Sequence, residues 1–183
     1  LSHSAPYIDK FTQALTAKRN LLLNHILTLI IEMMKTVFDK AIREGLVHRI
    51  NLLEEDSKAH WGKMNLYQML AHNTYWNGWI LGKGNPSYYQ TFFGRIFGKL
   101  ALRKMIKDEK PFDKNIPTSD QFKAKELNGD VEEEKAKWVS LMEDYINFSN
   151  PQFIHDFFGN MTKEQIGVLV YKHTDHHLRQ FGV

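Results

Sequence analysis

The sequence predicts an all-α protein, and three observations predict it. Apolar residues recur at three- and four-residue spacing in four separate segments. Two of those segments open with the side-chain spacing of a capping box. No run alternates with the period of two that a half-buried strand requires. Four amphipathic helices in one domain of this size assemble as a four-helix bundle. At 183 residues and 43% hydrophobic, the chain can bury one substantial core. The formal net charge is +3, with acidic and basic residues interleaved, so composition gives no reason to expect a nucleic-acid partner. Cysteine is absent. Disulfides, thiolate nucleophiles and thiolate metal ligands are therefore excluded, and a reducing cytoplasm fits. A metal site here must be built from His, Asp and Glu, and the nine histidines make one feasible.

Residues 1–33 stand apart. The chain begins with Leu1, and residues 21–31 follow Lys18 and Arg19 in loose imitation of a signal peptide. That run is interrupted by Asn24, His25 and Thr28, is too short to span a bilayer and lacks a small-residue cleavage site. From Met34 the text reads Met-Lys-Thr-Val-Phe-Asp-Lys, like a natural protein start. Residues 1–33 are accordingly expected to be a non-native or dispensable extension, and 34–183 the working domain.

The first helix of that domain runs over about 35–53, with Phe38, Ile42, Leu46 and Leu53 on one side. The second begins at Asn65, whose spacing to Gln68 is that of an N-cap and its partner, and ends at Leu81 before Gly82, Gly84 and Pro86. About 45 residues then intervene, too many for a simple loop. Within them Phe93, Ile96, Phe97 and Leu100 predict a short additional helix, basic on its outer side. Gly94 and Gly98 weaken it as a free-standing amphipathic element. The reading is a helix packed across the bundle with solvated Lys and Arg; a membrane-surface or anion-binding module is the competing one. Residues 108–130, with Pro111 and Pro117, read as a surface connector. The third helix spans about 130–148, its apolar face Trp138, Leu141, Met142, Tyr145 and Phe148. The fourth opens on a second capping box, Thr162 and Gln165.

That fourth helix carries His173 and His177 one turn apart, on the stripe of Ile166, Leu169, Val170 and Phe181. Two inward imidazoles at this spacing are either hydrogen-bonded core residues or two ligands of a metal ion. On the second helix, His72 falls on the inward stripe of Met69, Trp76 and Ile80. Three converging imidazoles would leave coordination positions open, as at a catalytic site. His176 lies about 100° away from His177 and is read as a flanking residue. Asp175 is expected to face solvent or another subunit, and Lys172 and Arg179 to be exposed helix charges. Gln180, one turn past His177, could orient a ligand or bound water. Trp76, with Trp79 and Tyr75, reads as core or as pocket lining, and His155 sits in a Phe-rich loop that could approach the site. No carboxylate is placed as an obvious general base.

The segments Trp-Gly-Lys-Met-Asn from Trp61 through Gln68-Met-Leu-Ala-His72, His155-Asp-Phe-Phe-Gly159, and the closing Tyr171 to Gly182 run resemble the DinB-like superfamily of metal-binding four-helix bundles. The nearer likeness is to a branch known as a domain of unknown function. The resemblance covers about 34–183. It implies a metal triad of His72, His173 and His177, a divalent zinc or nickel ion, and homodimers. Among its characterised relatives are thiol transferases, which implies a small-molecule substrate, a low-molecular-weight thiol included, with transfer or hydrolysis as the reaction. The competing reading is a non-catalytic bundle in which the ion is structural. A membrane partner is not expected.

Overall fold

Side chains one residue ahead of five of the described helices decide where those helices begin. In the computed structural model, which describes residues 5–32 and 34–183, the Asp39 carboxylate accepts from the Ile42 N–H at 3.1 Å and starts a helix at Lys40. Asn65 and Gln68 close a reciprocal capping box at 2.8 and 3.1 Å, and Thr162 and Gln165 close another. Each such cap contributes about 1 kcal/mol. The helices are α1 (Ala5–Glu32), α2 (Lys40–Asn51), α3 (Leu66–Leu81), α4 (Phe92–Met105), α5 (Val131–Asp144) and α6 (Lys163–Gln180). Short 3₁₀ turns occupy Asp120–Phe122 and Tyr145–Asn147. Among the described residues there is no strand, only an antiparallel bridge between His155 and Gly159. The fold is all-helical, as the periodicity predicts.

α2 packs on α5 and α6, and α3 packs on the same two helices, so α2 and α3 occupy opposite corners of a four-helix bundle. The core they enclose includes Leu46, Ile50, Met69, Leu70, Trp138, Met142, Val170 and Leu178. It also contains a polar thread, hydrogen-bonded except at the Asn73 side-chain oxygen. Tyr145 Oη donates to Asn77 Oδ1 at 2.9 Å, Asn77 donates to the Asn73 carbonyl at 2.8 Å, and Asn73 to the Met69 carbonyl at 2.9 Å. Burial pushes the Tyr145 hydroxyl well above its ordinary pKa, which keeps it a donor.

Four features differ from the sequence expectation. α2 starts five residues later than about 35, because Val37 N–H is committed to the Gly167 carbonyl of α6 at 3.2 Å. Residues 108–130 are more than a surface connector: Phe122 is buried, its ring edge-on to Trp79 at 5.0 Å. Asp175 is 8% exposed instead of facing solvent. Arg49 of α2 and Arg179 reach its two oxygens at 2.7 Å each, so α2 covers the side of α6 that faces away from α3. Lys172 is also buried, with its ammonium on the Met105 and Asp108 carbonyls at the end of α4. Arg179 is exposed, as expected.

α4 crosses the bundle on a glycine face. A Cβ at Gly94 or Gly98 would collide with the Phe157 carbonyl, so the helix backbone rests directly on the 156–158 loop. Thr91 N–H donates to the Asp156 carbonyl at 2.8 Å and fixes its start. α1 precedes the domain and meets α6. Leu15, Leu21, Leu22, Leu23, Ile26 and Leu29 along it are exposed.

Candidate metal centre

Adjacent helices α3 and α6 bring the three histidines together. His72 Nδ1 lies 2.9 Å from the Phe122 carbonyl. A carbonyl only accepts, so Nδ1 carries the proton and Nε2 keeps its lone pair. His177 is set in the same way from another direction. Its Nδ1 is 2.9 Å from Gln180 Oε1, while Gln180 Nε2 donates to the Trp61 carbonyl at 2.8 Å. The Trp61 contact fixes which end of the amide faces His177, and His177 is thereby left with Nε2 free. His173 stacks its ring on Trp76 with centroids 4.0 Å apart, and its Nε2 sits 3.2 Å from His72 Nε2. Its Nδ1 is enclosed and has no hydrogen-bond partner among the described residues.

One ring nitrogen from each of His72, His173 and His177 lies within 4.8 Å of the others. Nitrogens bound tetrahedrally at 2.0–2.1 Å from one ion are about 3.3 Å apart, and the His72–His173 separation matches that spacing. Burial pushes all three imidazoles below their ordinary pKa, His173 and His177 furthest, and neighbouring imidazoles depress them further. The hydrogen bonds from Phe122 and Gln180 oppose this at His72 and His177 without reversing it. Neutral imidazoles with converging lone pairs are what a divalent cation requires. The residues present fit such an ion.

The other sequence candidates surround this cluster. Gln180 is buried and orients His177. Trp76 holds the His173 ring. His176 is half-buried beside His177, edge-on to Trp61 at 5.8 Å; burial lowers its pKa against the pull of Asp175. His155 is not among the converging nitrogens. It lies on the wall of a cavity shared with His72 and His173, its Nδ1 2.8 Å from Asp156 Oδ1 and 3.1 Å from Phe157 N. Burial favours a raised pKa for Asp156, but contacts from His155, the Phe157 N–H and Ser119 outweigh it and hold the carboxyl low. Tyr75 is exposed. It lines, with Trp79, an open groove of about 770 Å³ between α3 and α5 that contains none of the three histidines.

Two cavities flank the triad. One of about 580 Å³ is mostly apolar, with Trp76, Met105, Phe112, Phe158 and Leu169 around His72 and His173. The other, about 560 Å³, holds Lys63, Gln68 and Lys123 beside His176 and His177. Ile116, Pro117 and Thr118 border both. Sequence reasoning missed this partition, and missed the Phe122 and Trp61 carbonyls that set the two tautomers. The one available signal was Phe122 itself, an isolated aromatic in a polar, proline-bearing stretch.

Kinship is decided by a family match. Residues 38–182 fit the model of a family described as "Protein of unknown function (DUF1569)". The chain belongs to the DUF1569 family. No curated protein and no solved structure matches it. The DUF1569 region contains all three histidines, both capping boxes and the partition between the cavities, and it excludes α1.

Proposed function

We propose that this protein is a DinB-like metal-binding bundle in which His72, His173 and His177 hold one divalent cation, zinc or nickel, for a reaction on a small molecule. One observation carries the reading: three imidazole nitrogens from two helices converge within 4.8 Å, and cavities open beside them. A cation held there acts as a Lewis acid and favours the thiolate or hydroxide form of a thiol or water that meets it. The chain's own residues supply the rest. Phe122 and Gln180 fix two ligand rings, Trp76 supports the third, and Phe112 and the 116–118 segment line the cavity beside them. Lys63 suits an anionic group, such as the carboxylate of a low-molecular-weight thiol, and the apolar cavity suits a hydrophobic acceptor. Thiol transfer is the preferred reaction and hydrolysis the alternative. The same reading takes the protein to be cytoplasmic and homodimeric, which fractionation and solution mass measurement check.

The test is metal analysis of protein purified without a metal-binding tag. About one equivalent of zinc or nickel is expected in the unaltered protein, and a small fraction of that in His72→Ala, His173→Ala or His177→Ala. Absence of any metal, with no uptake on addition, would sink the reading. A structural ion is the second reading, favoured by the adjacency of the two ligand helices, which one ion would tie together. It predicts that His72→Ala lowers the melting temperature about as far as a chelator does. A site serving chemistry loses the metal and largely keeps its melting temperature.

A further inference from the structure

We propose that α4 docks this protein on an anionic membrane surface. The helix is mounted with its smallest residues inward and its largest apolar residues outward. Gly94 and Gly98 press on the 156–158 backbone, whereas Phe92, Phe93, Ile96, Phe97 and Leu100 are 71, 66, 56, 53 and 71% exposed. Those five lie on one face, at spacings of one, three and four residues. A soluble protein scatters single apolar residues over its surface; a contiguous stripe of five marks a docking site.

Charge identifies the occupant. Arg95 borders the apolar face along its side, and Arg103 and Lys104 continue that face one turn beyond Leu100, all three exposed. Lys99 instead turns back to the Asn160 carbonyl. Residues 91–107 contain no acidic side chain. An apolar face bordered by Arg and Lys is the pattern of a helix lying in a bilayer interface among anionic headgroups. A second copy of the chain fits poorly. Antiparallel two-fold pairing of α4 with itself would bring Arg95 of one copy toward Arg103 and Lys104 of the other, with no carboxylate on either helix. No described helix is long and apolar enough to cross a membrane, so the docking is peripheral. The orientation of α4 was not legible in the sequence, which favoured a helix packed inward with solvated charges.

Co-sedimentation of the full chain with vesicles tests this. Binding is expected to mixed phosphatidylcholine–phosphatidylglycerol vesicles, to weaken steeply with added salt, and to be slight on pure phosphatidylcholine. Phe93→Ser/Phe97→Ser and Arg95→Glu/Arg103→Glu, each at exposed positions and checked for native circular dichroism, are expected to weaken it about tenfold or more. Vesicle binding that survives both variants assigns the membrane contact elsewhere and overturns the proposal. Equal binding to neutral vesicles also overturns it. So does a dimer that Phe93→Ser/Phe97→Ser converts to monomer in a protein indifferent to vesicles.

Discussion

Gln180 shows how a residue outside the histidine triad can set one of its members. Its amide is clamped between the Trp61 carbonyl and His177 Nδ1, so the loop before α3 determines which nitrogen of a histidine on α6 is free. Gln180→Leu keeps the bulk and removes both contacts. His177 then loses its tautomer preference and its ring orientation, as expected when a partner behind a ligand is removed. Metal affinity is expected to fall about 10- to 100-fold in competition titrations with a chromophoric chelator. Retention of the wild-type affinity would show that packing alone orients His177. Gln180→Glu separates the two contacts, because a carboxylate still accepts from Nδ1 but cannot donate to Trp61.

At the level of elements, the glycines of α4 and α2 make opposite predictions from the same substitution. Gly98→Ala gains helix propensity of about 1 kcal/mol but drives a methyl into the Phe157 carbonyl, a backbone atom with nowhere to go. Net destabilisation of about 1–2 kcal/mol is expected, read as a melting temperature lower by roughly 2–4 °C per kcal/mol. Gly45 in α2 has open space where a Cβ would go, so Gly45→Ala is expected to stabilise by about 0.5–1 kcal/mol. Helix ends marked by local chemistry were legible in the sequence: the Asn65–Gln68 and Thr162–Gln165 boxes and the αL residue Gly82 lie where the spacing puts them. The inward stripes of α3 and α6 were equally legible, and with them His72, His173 and His177. What depended on meeting a distant segment was not. Nothing near Phe122 in the chain says that it will lie against Trp79 and lend its carbonyl to His72. A helical wheel for α6 cannot show that α2 comes over Asp175 with Arg49, or that the end of α4 comes over Lys172. Helix α1 was not anticipated either.

For the whole molecule, the buried histidines couple stability to acidity. Free imidazoles titrate near 6.5, and burial holds His72, His173 and His177 below that in the folded chain. Between the two values the unfolded chain binds more protons, so stability is complete above pH 6.5 and is lost as the pH falls through the folded values. Thermal melts of metal-free protein are expected to move down steadily from about pH 6.5 toward 5. His173→Phe, which keeps a ring on Trp76 and cannot be protonated, should flatten that decline. An unchanged slope in the variant would assign the acid sensitivity to other groups.

The residues Ile116 to Thr118 have a consequence for traffic through the molecule. They border both an apolar cavity and a lysine-bearing one, and His72 and His173 line the first while His177 lines the second. Two reactants of unlike polarity, one in each cavity, would therefore meet different members of the triad, His72 and His173 on one side and His177 on the other. Each could be sorted by its own chamber before it met the other. Pro117, whose ring locks its backbone φ, stiffens the segment that the two cavities share.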